Sequence, residues 1–302
     1  MDISVLIPTY NGESTILYTL ESFLHMDTQG IDWELFICIN NSTDNSVELI
    51  EQYKGKLPLK VLNQPIQGKS ACMNLLLEHA LGDLIIMTDD DVIVPKNWIT
   101  NYIDVAIEKP NYAIFGGKII AHFIEDIPFW FEAFKYKHIA FGQTPDRFKN
   151  QEVGPGSIFG ANMAIRRHTL STGVNFNNKI GPNGGNYEMG CETEFLTRLS
   201  DNNFKSWISD KAKLEHIIRP FQFELTWIKK RAHRYGLSMY QKDRTNKFSD
   251  TRTLLGIPLW RVNMFLLCVY KNMTCAANDP EKANYIWEIG FFKGYLRKRL
   301  NG

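Results

Sequence analysis

Three consecutive carboxylates, Asp89, Asp90 and Asp91, close an apolar run in the stretch LIIMTDDDVIVP (84–95). Like charges this close repel, and each acid favours its neutral form unless something positive compensates. A hard divalent cation, which takes oxygen ligands, would supply that compensation. The simpler alternative is a solvated turn at a strand end, where Asp is common. A second acidic group, Glu192 and Glu194, stands in GCETEF (190–195). Glu192, Phe195, Leu196 and Leu199 fall at helical spacing, so Glu192 sits in a first helical turn, where the helix dipole favours a carboxylate. Lys69, in QGKSACMN (67–74), is a cation of a kind that pairs with phosphate, or simply a solvated lysine.

These groups need elements to hold them. Ile3–Ile7, Trp33–Ile39, Leu59–Leu62 and Leu84–Met87 read as buried strands. Between them Ile16, Leu17, Leu20 and Leu24 recur at helical spacing, as do Met73, Leu76, Leu77 and Ala80. Such alternation predicts an α/β fold with a mostly parallel sheet covered on both faces. Ligands bind at the carboxyl ends of strands in these sheets. PTYN (8–11), NNSTDNS (40–46) and TDDD (88–91) each follow a predicted strand, so they should converge on one edge. The middle segment, about 116–215, is less regular and glycine-rich at FGGK (115–118), GPGSIFGAN (154–162) and 181–195. From about 216 the chain turns basic and aromatic, and 254–270 is strongly apolar, interrupted by Arg261.

Composition narrows the classes. The 302 residues suffice for one large domain or two small ones, and a net charge of +1 gives no field directed at nucleic acid. Five cysteines without CxxC spacing argue against a disulfide framework or zinc site and fit a reducing compartment, hence the cytoplasm. The start, MDISVLIPTY, does not read as a signal peptide, and no stretch approaches the ~18 uninterrupted apolar residues of a membrane span.

In order along the chain, VLIPTYN, NNSTDNS, QGKSACMN, TDDDV, FGANMAIRR and GCETEFLTRL resemble the motifs of bacterial family 2 glycosyltransferases of the GT-A fold. The resemblance covers roughly 3–240. It implies a GT-A domain over 1–240, with a Rossmann-like nucleotide-binding half (1–115) and an acceptor and catalytic half (116–240), followed by a helical extension (241–302). It further implies a metal-dependent, inverting, non-processive transfer of sugar from a nucleotide-sugar donor to a glycan or lipid-linked saccharide. By that resemblance Pro8, Tyr10, Asn40, Lys69, Asp89 and Asp90 bind the nucleotide sugar. Asp91 and His216 hold Mn²⁺ or Mg²⁺, which neutralises charge on the departing diphosphate. Glu192 is the general base, while Trp130, Gly160, Ala161, Asn162 and Glu194 contact the sugar or acceptor. The chain departs from the family where Asn40 replaces an Asp that accepts a uracil imide hydrogen, and where Cys191 and Glu192 stand for a usual Glu-Asp pair.

The segment 254–302 is compatible with a core helix or a homodimer interface, and also with peripheral contact on the inner face of the cell membrane. The family's processive members carry Gln-x-x-Arg-Trp, but QKDRT (241–245) lacks the Trp. Two other classes remain: a nucleotide-sugar-binding protein without transferase activity, and a nucleotidyltransferase. The latter typically carries a basic Gly-rich loop after strand one, which PTYNGES does not offer.

Overall fold

A computed structural model describes residues 1–185, 187–245, 252–254 and 256–301. Asn186, from the glycine-rich stretch, and residues 246–251, 255 and 302, from the expected extension, lie outside the described residues. In chain order the elements are β1 (Ile3–Thr9), α1 (Ile16–Leu24), β2 (Trp33–Ile39), α2 (Ser46–Glu51), β3 (Leu59–Asn63), α3 (Lys69–His79), β4 (Leu84–Thr88), β5 (Val92–Ile93), α4 (Trp98–Glu108) and β6 (Ile114–Phe123). They continue with α5 (Lys137–Ala140), β7 (Gln151–Val153), β8 (Asn162–Arg166), α6 (Cys191–Asp201), β9 (Ser206–Ile218), α7 (Leu225–Thr245), β10 (Thr253–Leu254), β11 (Ile257–Pro258), α8 (Leu259–Thr274) and α9 (Lys282–Asn301). Two compact units emerge. The first comprises Met1–His122, Gly142–Gly184 and Gly190–Ile217; the second comprises Phe123–Phe141, Gly185–Met189 and Ile218–Gly302.

The first unit is built on a nine-stranded sheet in the order β3-β2-β1-β4-β8-β6-β9-β5, with β7 alongside β9. β1 pairs in parallel with β2 and β4, and β2 with β3, as the alternation predicts. Beyond β4 the pairing turns antiparallel: β8 against β4 and β6, and β5 and β7 against β9. The sheet is therefore mixed, because antiparallel neighbours need no crossover helix and the irregular middle segment supplies none. Every residue of β1 is buried, as a strand covered on both faces must be. Alternate side chains point to opposite faces. Val5, Ile7, Ile37 and Ile86 pack with Leu20, Phe23 and Trp98 of α1 and α4. Leu6, Phe36, Ile85 and Met87 pack with Leu76, Phe195 and Leu199 of α3 and α6.

The second unit centres on aromatic packing. Tyr136 and Trp227 stack on Trp287 and Phe141 respectively. Trp130, expected as a sugar-stacking platform, is 4% exposed and meets Phe131, Phe134 and Phe223. It has no open face to offer, and the structure reassigns it to this core.

Asn162 requires a second correction. It was expected at the sugar or acceptor but is fully buried. Its amide nitrogen donates to the backbone oxygens of Ala212 (2.7 Å) and Lys118 (3.1 Å). Its Oδ1 accepts from Tyr102 Oη (2.8 Å) and Trp98 Nε1 (3.0 Å). Every hydrogen-bonding site on the amide is thus filled from within the sheet and α4. The neighbouring Gly117 has no room for a side chain, since a Cβ there would lie 1.9 Å from the Ala212 oxygen. Asn162→Ala would leave buried donors and acceptors without partners, and is expected to cost about 3 kcal/mol or more in urea unfolding. A variant that unfolds like the parent but loses sugar binding would overturn the structural assignment.

Candidate active site

The parallel register sets the edge on which the polar loops meet. Pro8 is opposite Cys38, Thr9 opposite Ile39, and Leu6 opposite Met87. Tyr10, Asn40 and Asp89 therefore leave neighbouring strand ends together, as the sequence predicts. Tyr10 is half exposed, whereas Pro8 is buried. Antiparallel pairing adds the remaining segments. Asn162 faces Thr88, and Thr88 Oγ1 donates to the Ala161 oxygen at 2.7 Å, which fixes Gly160 and Ala161 beside the acidic loop. Val92 pairs with His216, which brings His216 Nε2 to 3.3 Å from Asp91 Oδ1.

At the centre lies Lys69, first residue of α3. Its Nζ donates to Asp89 Oδ1 at 2.6 Å and to Glu192 Oε1 at 3.0 Å. The Lys69 and Glu192 side chains are only 18% and 19% exposed. Burial alone pushes the Glu192 carboxyl up. The Lys69 charge, the Glu192 backbone N–H at the start of α6, and hydrogen bonds from Lys69 and the Cys191 thiol outweigh burial and hold its pKa at about 2. Burial pushes the Lys69 ammonium down, but the charges of Asp89 and Glu192 raise it well above its usual value. Gly160 makes room for this arrangement, because a Cβ there would lie 2.4 Å from Glu192 Cγ and Oε1. The entry to α3 is equally constrained: Gly68, at φ +142°, occupies a region that L side chains rarely adopt. The Lys69 backbone N–H donates to the Pro182 oxygen at 2.8 Å.

Three further residues expected at the site bond within the scaffold. The Asn40 amide donates to the backbone oxygens of Gln64 (2.9 Å) and Ile66 (2.8 Å) and accepts from the Gly68 N–H (2.7 Å). Asn40 is buried, so it shapes the turn into α3 and presents no edge to a base. Asp90 Oδ2 accepts from Thr9 Oγ1 at 2.5 Å, tying the acidic loop to the end of β1. Glu194 forms a two-pronged pair with Arg198, one turn along α6, at 2.8 and 2.9 Å. Thr9 escaped notice because only the register reveals its partner. Ser70 and Asn74 were likewise missed: they bond Ile180 and Phe176, securing the segment that leads to α6. Their four-residue spacing on α3 was the available signal.

A family model described as "Glycosyl transferase family 2" matches residues 4–172. The chain belongs to glycosyl transferase family 2. The poly(ribitol-phosphate) beta-N-acetylglucosaminyltransferase TarS of Staphylococcus aureus is 33% identical over 98 residues, 32% of this chain and 17% of TarS. WfgD of Escherichia coli, a UDP-Glc:alpha-D-GlcNAc-diphosphoundecaprenol beta-1,3-glucosyltransferase, is 29% identical over 105 residues, 35% of this chain and 39% of WfgD. The chain thus aligns with well under half the length of each relative. Residues 1–349 of TarS with UDP-GlcNAc superpose with a TM-score of 0.59 at 17% identity, covering all of this chain and 92% of that one. The mannosyltransferase PcManGT of Pyrobaculum calidifontis, with GDP-Man and Mn²⁺, gives 0.66 at 13% identity, covering 99% and 87%. These likenesses show the fold, which is GT-A with a helical C-terminal region.

In this family member Asp91 Oδ1 and His216 Nε2 lie 3.3 Å apart, a carboxylate oxygen beside an imidazole nitrogen. Both donor types suit a divalent ion such as Mn²⁺. Among the described residues no group of three or more such side chains occurs, so further ligands would come from a bound diphosphate or water. Lys69→Met removes the ammonium that does most to lower the Glu192 pKa. The Glu192 carboxyl is then expected to titrate higher than its present value of about 2, read by carbon NMR of the labelled carboxyl. The sign for stability follows: the pair stabilises the fold above pH 4.5, and this contribution fades as pH falls towards 2. An unchanged titration in the variant would show that Lys69 does not set the pKa.

Proposed function

We propose that the protein is a metal-dependent, inverting glycosyltransferase that adds single sugars from a nucleotide-sugar donor to a hydroxyl of a glycan or lipid-linked saccharide. The observation that carries this is the Asp89–Lys69–Glu192 chain of contacts at the carboxyl edge of the sheet. It joins a cation suited to a diphosphate with a carboxylate suited to take a proton. The names of the relatives support the substrate class: TarS acts on poly(ribitol phosphate) and WfgD on a diphosphoundecaprenol-linked sugar.

In the proposed reaction Tyr10 offers its exposed ring to the base, and Asp89 and Lys69 border the diphosphate and sugar. The diphosphate competes with Glu192 for the Lys69 ammonium. Once relieved of that ammonium, Glu192 becomes more basic and takes the acceptor's hydroxyl proton as the oxygen attacks the anomeric carbon. The attack comes from the face opposite the leaving group, so configuration inverts in a single displacement. Asp91 and His216 would hold the divalent ion, which when bound neutralises charge on the departing diphosphate. Gly160 keeps the space that Glu192 needs. Asn40, Asp90 and Asn162 act as scaffold for these groups.

Thermal shifts with UDP, GDP, dTDP and CDP, each with and without Mn²⁺, test the donor site. One nucleotide is expected to raise the melting temperature by mass action, and only with metal. No shift with any of them would remove the basis for a nucleotide-sugar donor. With the donor known, Glu192→Gln is expected to lower turnover by about 10²–10⁴-fold while keeping the nucleotide-induced shift. Near-full turnover would reject Glu192 as base. Gly160→Ala, which crowds Glu192, is expected to lower turnover by about 10²-fold through misplacement alone.

A further inference from the structure

Helix α8, in the second unit, has two faces of different character. Inward, Phe265 stacks on Phe292 of α9 at 4.4 Å, Cys268 is buried, and Arg261 pairs with Asp243 of α7 at 2.8 Å. Outward, Trp260, Met264, Leu266, Leu267, Tyr270 and Met273 recur at spacings of three and four and are 41–79% exposed. A continuous apolar face of this kind marks an interaction surface. Charge identifies its occupant. No Asp or Glu occurs between positions 251 and 278, although the chain carries 33 acids in all. The same segment holds Arg252 and Lys271, both exposed, and a Cβ at Gly256 would lie 3.2 Å from Arg299 Nε. An apolar stripe with Trp and Tyr, in a segment that carries cations and no acid, complements the interface of an anionic bilayer. A second copy would instead set these cations against their own kind. Among the described residues no helix is long and apolar enough to cross a membrane, so the helix would lie in the surface plane.

We propose that α8 docks the protein onto anionic membrane surfaces, with this face among the headgroups and its cations against lipid phosphates. The inference rests on α8 and not on the reaction, so it can fail while the transferase reading stands. The test is co-sedimentation of the full chain with phosphatidylcholine vesicles, with and without phosphatidylglycerol. Binding is expected to favour the anionic vesicles by about tenfold or more, to weaken as salt screens the cations, and to shift tryptophan emission to the blue. The variant Trp260→Ser/Leu267→Ser/Tyr270→Ser is expected to lose at least about tenfold in binding while keeping its melting temperature, because these side chains are exposed. Should that variant misfold, Lys271→Glu serves instead and is expected to weaken binding to anionic vesicles alone. The proposal is overturned if the parent protein pellets with neither vesicle, or if a folded variant binds as well as the parent. It is also overturned if light scattering shows a dimer that the triple variant dissociates, since the face would then belong to a second copy.

Discussion

Two carboxylates from distant parts of the chain share one ammonium, and the site is organised around that sharing. Asp89 follows β4, Glu192 lies in the first turn of α6, and Lys69 begins α3. Without Lys69 the acids would face each other in a half-buried space, where like charges drive one towards its neutral form. With it Glu192 is held ionised, and three elements are pinned at one point. The arrangement also makes Glu192 a poor proton acceptor until another anion claims the lysine. In the proposed reaction, the contact that positions Glu192 also keeps it inactive.

The scaffold serves this contact through saturated polar side chains. Asn40 ties the turn before Lys69 using both its donors and its acceptor, and Asn162 binds β8 to β6, β9 and α4 in the same way. Buried amides so fully satisfied specify a single geometry, because any shift leaves a group unpaired in a medium without water. Gly160 acts by the opposite means, through the absence of atoms. Its missing side chain is the space that Glu192 fills.

Much of this was legible in the sequence where the governing forces are local. The four apolar runs became β1–β4 with nearly the expected bounds, and Glu192 lies in the first turn of α6 as its spacing implied. The convergence of the polar loops followed from the parallel register. What escaped was the use to which a polar side chain is put. Asn40, Asp90 and Asn162 have residue types suited equally to a ligand and to scaffold partners, and only contacts 24 to 81 positions away decide between them. Trp130 shows the same limit for aromatic residues, since a stacking platform and a core residue read alike. His216 was suggested by resemblance, but its approach to Asp91 depends on pairing between β5 and β9, which no local pattern announces.

The interleaving of the two units carries a consequence for the order in which the protein is made. Its chain crosses from one unit to the other repeatedly, and neither is a continuous stretch. A ribosome delivers β1–β4, with the acidic loop, early, yet the strand that seats His216 arrives only near residue 216. Pairings of such long range close slowly, since the intervening chain must be ordered first. Until then the nascent protein presents a half-finished sheet whose β4 edge awaits β8, a state in which exposed strand edges invite wrong partners. Biogenesis, more than the finished architecture, is where this topology is most vulnerable.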